Sequence, residues 1–155
     1  AEIILQHHDN LKINLQENLV EIGHGEWEGK LETEIKKDWP QLLTNWKERP
    51  ETVEMPSGEN INKVWERSIN CWVKISRGLN QGETALVVAH DAVNKTILCN
   101  LLGLQPKDIW MIKQGNGGIN VIDIPREPSE MSVITSLNIT SHLGGVLDKT
   151  AAGAL

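Results

Sequence analysis

The sequence contains no phenylalanine and no tyrosine, and its aromatic carbocycles are six tryptophans in 155 residues. Any bulky anchor in the core must therefore be an indole or an aliphatic side chain, and some indoles can line a pocket. Cysteine is scarce as well. Cys71 and Cys99 stand far apart and form no CxxC spacing. No disulfide framework is present, so reduced thiols and a cytoplasmic protein are expected. No apolar run approaches the roughly 20 residues of a membrane span, and no signal-peptide pattern opens the chain. Positive charge is in deficit: 15 Lys and Arg against 21 Asp and Glu, a net charge of −6 and a pI near 5.4. That balance argues against nucleic acid and anionic membranes as partners. It leaves room for an anionic small molecule, because a site needs only local positive potential.

What is present fits one domain over residues 1–155, with 39% hydrophobic content for a core. Residues 1–8 read as a helix, and the alternation of Leu11, Ile13 and Leu15 as a short strand. "EIGHGEWEGK" is a glycine-rich loop. "LETEIKKDW" and "QLLTNWKER" read as helices stopped by Pro40 and Pro50. A long helix is expected from Glu59, capped by Ser57, with Ile61, Val64, Trp65, Ile69, Trp72, Ile75 and Leu79 on one core stripe. Glu83 to Ala89 reads as a parallel strand buried on both faces. A helix follows from Asp91 to Leu102, closed by Gly103. Residues 118–124 and 131–139 alternate well and are expected to be adjacent strands. Strands alternate with helices through the middle, so the class is α/β.

The exit of the strand in "TALVVAHDAVNK" is the first candidate site. Ligands in parallel α/β sheets bind beyond the carboxyl ends of strands. His90 stands there, at the start of a helix whose first amides lack internal partners and favour an anion. An imidazole can carry positive charge beside such an anion. Asp91 is the expected N-cap, with its backbone rather than its carboxylate toward the ligand. A histidine that only fills a strand end is the plainer alternative. The second candidate is "LVEIGHGEWEGK", with Glu21, His24, Glu26 and Glu28. A carboxyl group at such a bend can act as a general acid, and the glycines let backbone approach a ligand. A solvated acidic loop is the alternative for any single Glu. Glu26 and Glu28 are expected at the surface beside a buried Trp27. The spacing matches no metal motif.

Gln114 and Asn116, in a glycine-rich link before a strand, could reach the pocket mouth. Lys95 is expected on a solvated face, His142 as a packing or capping residue, and the tryptophans of the long helix as core.

Three boxes in order, "LVEIGHGEWEG", "MPSGEN" and "LVVAHDAVNKTIL", resemble the histidine phosphatase superfamily in its phosphoglycerate-mutase-like branch. The resemblance runs across nearly the whole chain. It implies a three-layer sandwich, with a mostly parallel central sheet and helices on both faces. It also implies phosphoryl transfer through a phosphohistidine, without metal or other cofactor, on a phosphorylated small molecule. Matched position by position, Glu21 takes the role of general acid and His90 that of the second active-site histidine. His24 and the Asp91 amide fall to substrate binding, and Asn116 joins them only through its place at the pocket mouth. The family's Arg-His-Gly nucleophile box has no counterpart. The five histidines are His7, His8, His24, His90 and His142, and none follows an arginine. The expected protein is thus a phosphomonoesterase domain lacking its first strand and helix, dependent on another segment, a swap or a homodimer. A phosphoglycerate mutase and a catalytically inactive phosphate-binding or interaction module are the alternatives.

Overall fold

Tryptophan does stand in for the missing phenylalanine. In the computed structural model, which describes residues 1–9, 11–125, 127 and 130–144, Trp27 and Trp46 are each 2% exposed and are the largest side chains fully buried in the core. Ile35, Val53, Met55, Ile61, Val64 and Val93 pack around them. A buried side chain of this kind contributes about 3 kcal/mol relative to leaving it in water.

The helices follow the apolar spacing. After a short α1 (Glu2–Leu5) come α2 (Glu32–Asp38) and α3 (Pro40–Glu48), which Pro40 opens at its first position. The long helix α4 (Ile61–Gly78) buries Ile61, Val64, Ser68 and Cys71. It packs against α5 (Asp91–Leu101), where Ser68 Oγ meets Thr96 Oγ1 at 2.8 Å in the buried interface. Gly103, at φ 71°, closes α5 as expected, and the Leu104 amide returns to the Cys99 carbonyl at 2.9 Å. Both cysteines are buried and free. Burial first, then Asp108, pushes the Cys99 thiol up to about 11, so it stays protonated and inert.

The strand pair also forms: β1 (Ile119–Asp123) runs antiparallel to β2 (Val133–Ile139). Register shifts interrupt the pair, and Asn138 adopts φ 51° there. Its side chain accepts from the Gly115 amide at 2.7 Å and so ties the glycine link to the sheet.

Four expectations fail in this part of the molecule. The cap of α4 is Asn60, which accepts from the Lys63 amide at 2.9 Å; Ser57 sits at φ 56° in the preceding turn. Residues 11–15 form no strand, and Leu15 is 87% exposed. Residues 83–89 form no strand. Leu86 is 68% and Val88 50% exposed, and residues 84–88 make no backbone hydrogen bond among the described residues. Consequently the mostly parallel sheet of a three-layer sandwich is not seen among the described residues. The sheet among the described residues has two antiparallel strands. An apolar run is buried on both faces only when neighbouring strands hold it, and among the described residues none does.

Candidate functional site

Two glycine-bearing loops interlock to build one wall of the site. The Glu26 amide donates to the Pro56 carbonyl at 2.9 Å, and the Glu59 amide to the Gly23 carbonyl at 2.8 Å. Gly25, at φ 56°, lies so close that a Cβ there would fall 2.1 Å from the Pro56 oxygen. A Cβ at Gly58 would meet the Gly23 oxygen at 2.5 Å. The turn Gly25–Trp27 then drops Trp27 into the core. Glu26 and Glu28 stay outside it, where Glu26 Oε1 accepts from the Ser57 hydroxyl and Glu28 Oε1 from the His24 amide.

Arg67, which the sequence did not single out, anchors the same wall from α4. Its guanidinium makes a forked pair with Glu59, Nε to Oε1 at 3.0 Å and Nη2 to Oε2 at 2.9 Å. It also donates to the carbonyls of Asn18, Val20 and Glu21. Glu59 Oε2 further accepts from the Gly23 amide at 3.1 Å. Burial alone would raise the Glu59 carboxyl, but Arg67 and the Gly23 amide outweigh it and hold the group below its ordinary 4.5. A carboxyl with a depressed native value contributes stability above its unfolded value and loses it as pH falls through the native one. Acidification below about pH 4.5 is therefore expected to loosen residues 18–23, seen as a change in Trp27 fluorescence. Glu59→Gln should remove that component of the pH profile.

The anchored loop delivers Glu21 to the start of α5. Glu21 Oε2 accepts from the Ala92 amide at 3.1 Å, and Oε1 accepts from the Ile22 amide at 2.8 Å. The carboxylate thus rests on a first-turn amide of the helix that His90 caps with extended backbone (φ −104°, ψ −178°). Asp91 is not the cap, as expected from sequence, but the first residue of the helix. Its Oδ2 accepts from Lys95 Nζ at 2.7 Å, an i,i+4 pair.

Lys95 is not on a solvated face either. It is 8% exposed, and its ammonium lies 4.9 Å from the centroid of the Trp110 ring. Trp110 in turn donates from Nε1 to the Trp46 carbonyl at 2.9 Å and packs edge-on against the Trp46 ring at 5.2 Å. Sequence held two signals for this arrangement: the Asp91/Lys95 spacing, and the apolar residues on every side of α5.

Two cavities open at this corner. One of about 370 Å³ is lined by Glu21, His24, Trp27, Trp46, Asp91 and Lys95, among others. The other, of about 480 Å³, runs between residues 85–90 and β1 and includes His90, Asp91, Gln114 and Asn116. Asp91 belongs to both. The five site residues read from sequence are therefore drawn to one corner but face two spaces. Glu21 and His24 face the first, His90 and Asn116 the second, and Asp91 stands between. Gln114 is buried and accepts from Asn120 Nδ2 at 2.7 Å. His142 lies exposed in the turn Ser141–Leu143 and lines neither cavity, so it has no packing role.

Known proteins share this fold. The chain is 31% identical over 135 residues to phosphoserine phosphatase 1 of Hydrogenobacter thermophilus, covering 87% of this chain and 62% of that protein. It is 30% identical over 121 residues to 2-carboxy-D-arabinitol-1-phosphatase of Triticum aestivum, covering 78% of this chain and 24% of that one. It therefore spans less than two thirds of the length of either relative. Among solved structures, Bacillus stearothermophilus YhfR superposes with a TM-score of 0.81 at 23% identity, over 92% of this chain and 69% of its own. A mycobacterial glucosyl-3-phosphoglycerate phosphatase in complex with inorganic phosphate gives 0.75 at 20% identity, over 89% and 70%. The family model described as the histidine phosphatase superfamily (branch 1) matches residues 1–136, and the chain belongs to that superfamily.

Proposed function

We propose that this domain carries the acid and phosphate-holding parts of a metal-independent phosphomonoester hydrolase, acting in the cytoplasm on a small sugar phosphate or phosphoglycerate-like acid. One observation carries the reading. The Glu21 carboxylate, 71 positions distant in sequence, sits on the Ala92 amide two residues beyond His90. An amide that attracts a carboxylate also attracts a phosphate oxygen. An arriving phosphate dianion competes for that amide and repels the carboxyl group toward the leaving oxygen. His90 and the Asp91 amide hold the phosphoryl oxygens. His24 faces the leaving group and Asn116 the far side of the phosphate.

In this reading a histidine nitrogen attacks phosphorus as the ester P–O bond breaks, and Glu21, having taken a proton from water as the phosphate dianion enters, gives that proton to the departing alkoxide. Water then cleaves the N–P bond. The attacking histidine comes from a segment outside these 155 residues, because none of the five present matches the nucleophile box. Such a segment would also give residues 83–89 the parallel neighbour of a three-layer fold. The relatives support the substrate class. Their names specify phosphoserine and 2-carboxyarabinitol 1-phosphate, both phosphorylated small molecules.

The test is turnover of a chromogenic phosphomonoester with and without an added segment bearing Arg-His-Gly. The bare chain should be inactive and the segment should restore activity. His90→Ala should cut the restored rate at least about 100-fold. Turnover by the bare chain that survives His90→Ala would overturn the assignment. Inorganic phosphate binding without turnover in either arm would favour a binding module, which the lack of a histidine after any arginine supports. Isomerisation of 3-phosphoglycerate by the restored enzyme, without release of phosphate, would identify a mutase.

A further inference from the structure

A strained residue of the strand pair is tied to the cavity that His90 lines. From the pair Ile119↔Ile139 to the pair Val121↔Ser136, β1 advances two residues and β2 three. The extra residue makes a bulge, and Asn138 within it holds φ 51°. Asparagine enters the left-handed region more readily than most residues, yet at a cost that glycine would not carry. Strain of this kind points to a task for the side chain.

The hydrogen bonds show that task. Asn138 Oδ1 accepts from the Gly115 amide at 2.7 Å, and the Asn138 amide donates to Asn120 Oδ1 at 2.8 Å. Asn120 Nδ2 donates in turn to Oε1 of the buried Gln114 at 2.7 Å. Gln114 precedes Gly115 in the chain, so the three carboxamides close a ring at the start of the glycine link. Gly118 fits against the same oxygen: a Cβ there would fall 2.6 Å from Asn138 Oδ1 and 3.0 Å from the Gly115 oxygen. Between these two held ends the chain makes one turn. The Gly118 amide closes it on the Gly115 carbonyl at 2.9 Å, with Gly117 at φ 74°. The corner residues Asn116 and Gly117 are exposed. Both line the same cavity as His90, whereas Asn138 does not.

A link with Gly115, Gly117 and Gly118 in four residues has much conformational freedom to lose. Left untied, it would have to be ordered each time a ligand bound, and that lowers affinity. Glycine would fit the backbone of the bulge but supply no oxygen to hold Gly115. We infer that Asn138 is a positioning residue for the phosphate site: it fixes the Gly115–Gly118 turn in advance and so places Asn116 at the cavity. The inference rests on the phosphate site beside His90 proposed above.

Inorganic phosphate titrated into the full chain by calorimetry tests it. The wild-type chain should bind phosphate, and His90→Ala should weaken that binding at least about tenfold. Asn138→Gly relieves the strain as it removes the hydrogen bond, so its thermal midpoint should stay within about 4 °C of the wild type. It should nevertheless bind phosphate about tenfold more weakly. Asn116→Ala should lose as much, and the double variant should be no worse than either single one, because both changes break the same path. A residue with only a structural role would move the midpoint and leave the affinity of the folded chain alone. Gly118→Ala pushes on the same Asn138 oxygen without touching the bulge; it should give the same loss, and it stands in if Asn138→Gly does not fold. Wild-type affinity in Asn138→Gly, no loss in Asn116→Ala, or losses that multiply in the double variant would overturn the positioning role and leave the phosphate site standing. Phosphate binding that is absent, or that survives His90→Ala unchanged, would bring down the phosphate site and the positioning role with it.

Discussion

Gly25→Ala should cost about 4 kcal/mol of stability, most of what a small domain has to lose. Two terms add. A non-glycine residue at φ 56° costs about 1–2 kcal/mol. The new methyl group also meets the Pro56 oxygen at 2.1 Å, the Gly58 nitrogen at 2.5 Å and the Ser57 carbonyl carbon at 2.6 Å. All three are backbone atoms that cannot swing aside, and overpacking of that kind costs about 1–3 kcal/mol. Gly29→Ala is the internal control. It has φ 75° but nothing within 4 Å of its ideal Cβ, so only the first term applies. Urea unfolding followed by tryptophan fluorescence should separate the two variants by about 2 kcal/mol. Equal midpoints would mean that the two loops part easily and that their interlock does not hold the site.

Arg67→Met should be the next most damaging single change away from the core, at about 3 kcal/mol. Methionine keeps the volume of the stem but removes every donor. The Glu59 carboxylate would keep the Gly23 amide and lose its cation, while the carbonyls of Asn18, Val20 and Glu21 would lose theirs. The side chains of the pair are 18% and 30% exposed, so water recovers part of the loss and the figure stays at the low end for a broken buried pair. Adding Glu59→Gln to Arg67→Met should restore part of the stability, since it removes the stranded charge. A cost below about 0.5 kcal/mol for Arg67→Met would mark this as an ordinary surface ion pair.

The two loop variants explain why some of the site was legible and some was not. That Glu21 stands in a glycine-rich loop and His90 at the end of an apolar run was readable, because both are properties of the chain alone. The interlock of Gly25 with Gly58 was not, since no pattern within either loop says that a Cβ added at Gly25 would fall 2.5 Å from the Gly58 nitrogen. Arg67 was hidden for the same reason: its partners lie 46 to 49 positions back in sequence, as well as eight back at Glu59. Lys95 was misread because a lysine one turn into a helix is usually solvated. Its burial depends on Trp110, which arrives from the separate turn Pro106–Met111. The helices and the β1–β2 pair follow local periodicity and were found. The segment 83–89 has the composition of a central strand but lacks, among the described residues, the neighbours that composition presupposes.

Unpaired backbone of that kind is where polypeptides adhere to one another. Residues 84–88, with no backbone hydrogen bond among the described residues, and the side of β1 away from β2 border the same groove, lined by Trp72, Ile97 and Leu98. An extended peptide laid there would be zipped along both flanks at once, with one end beside His90. The same geometry makes the slot adhesive: any apolar strand at hand would compete for it, including the matching stretch of a second molecule.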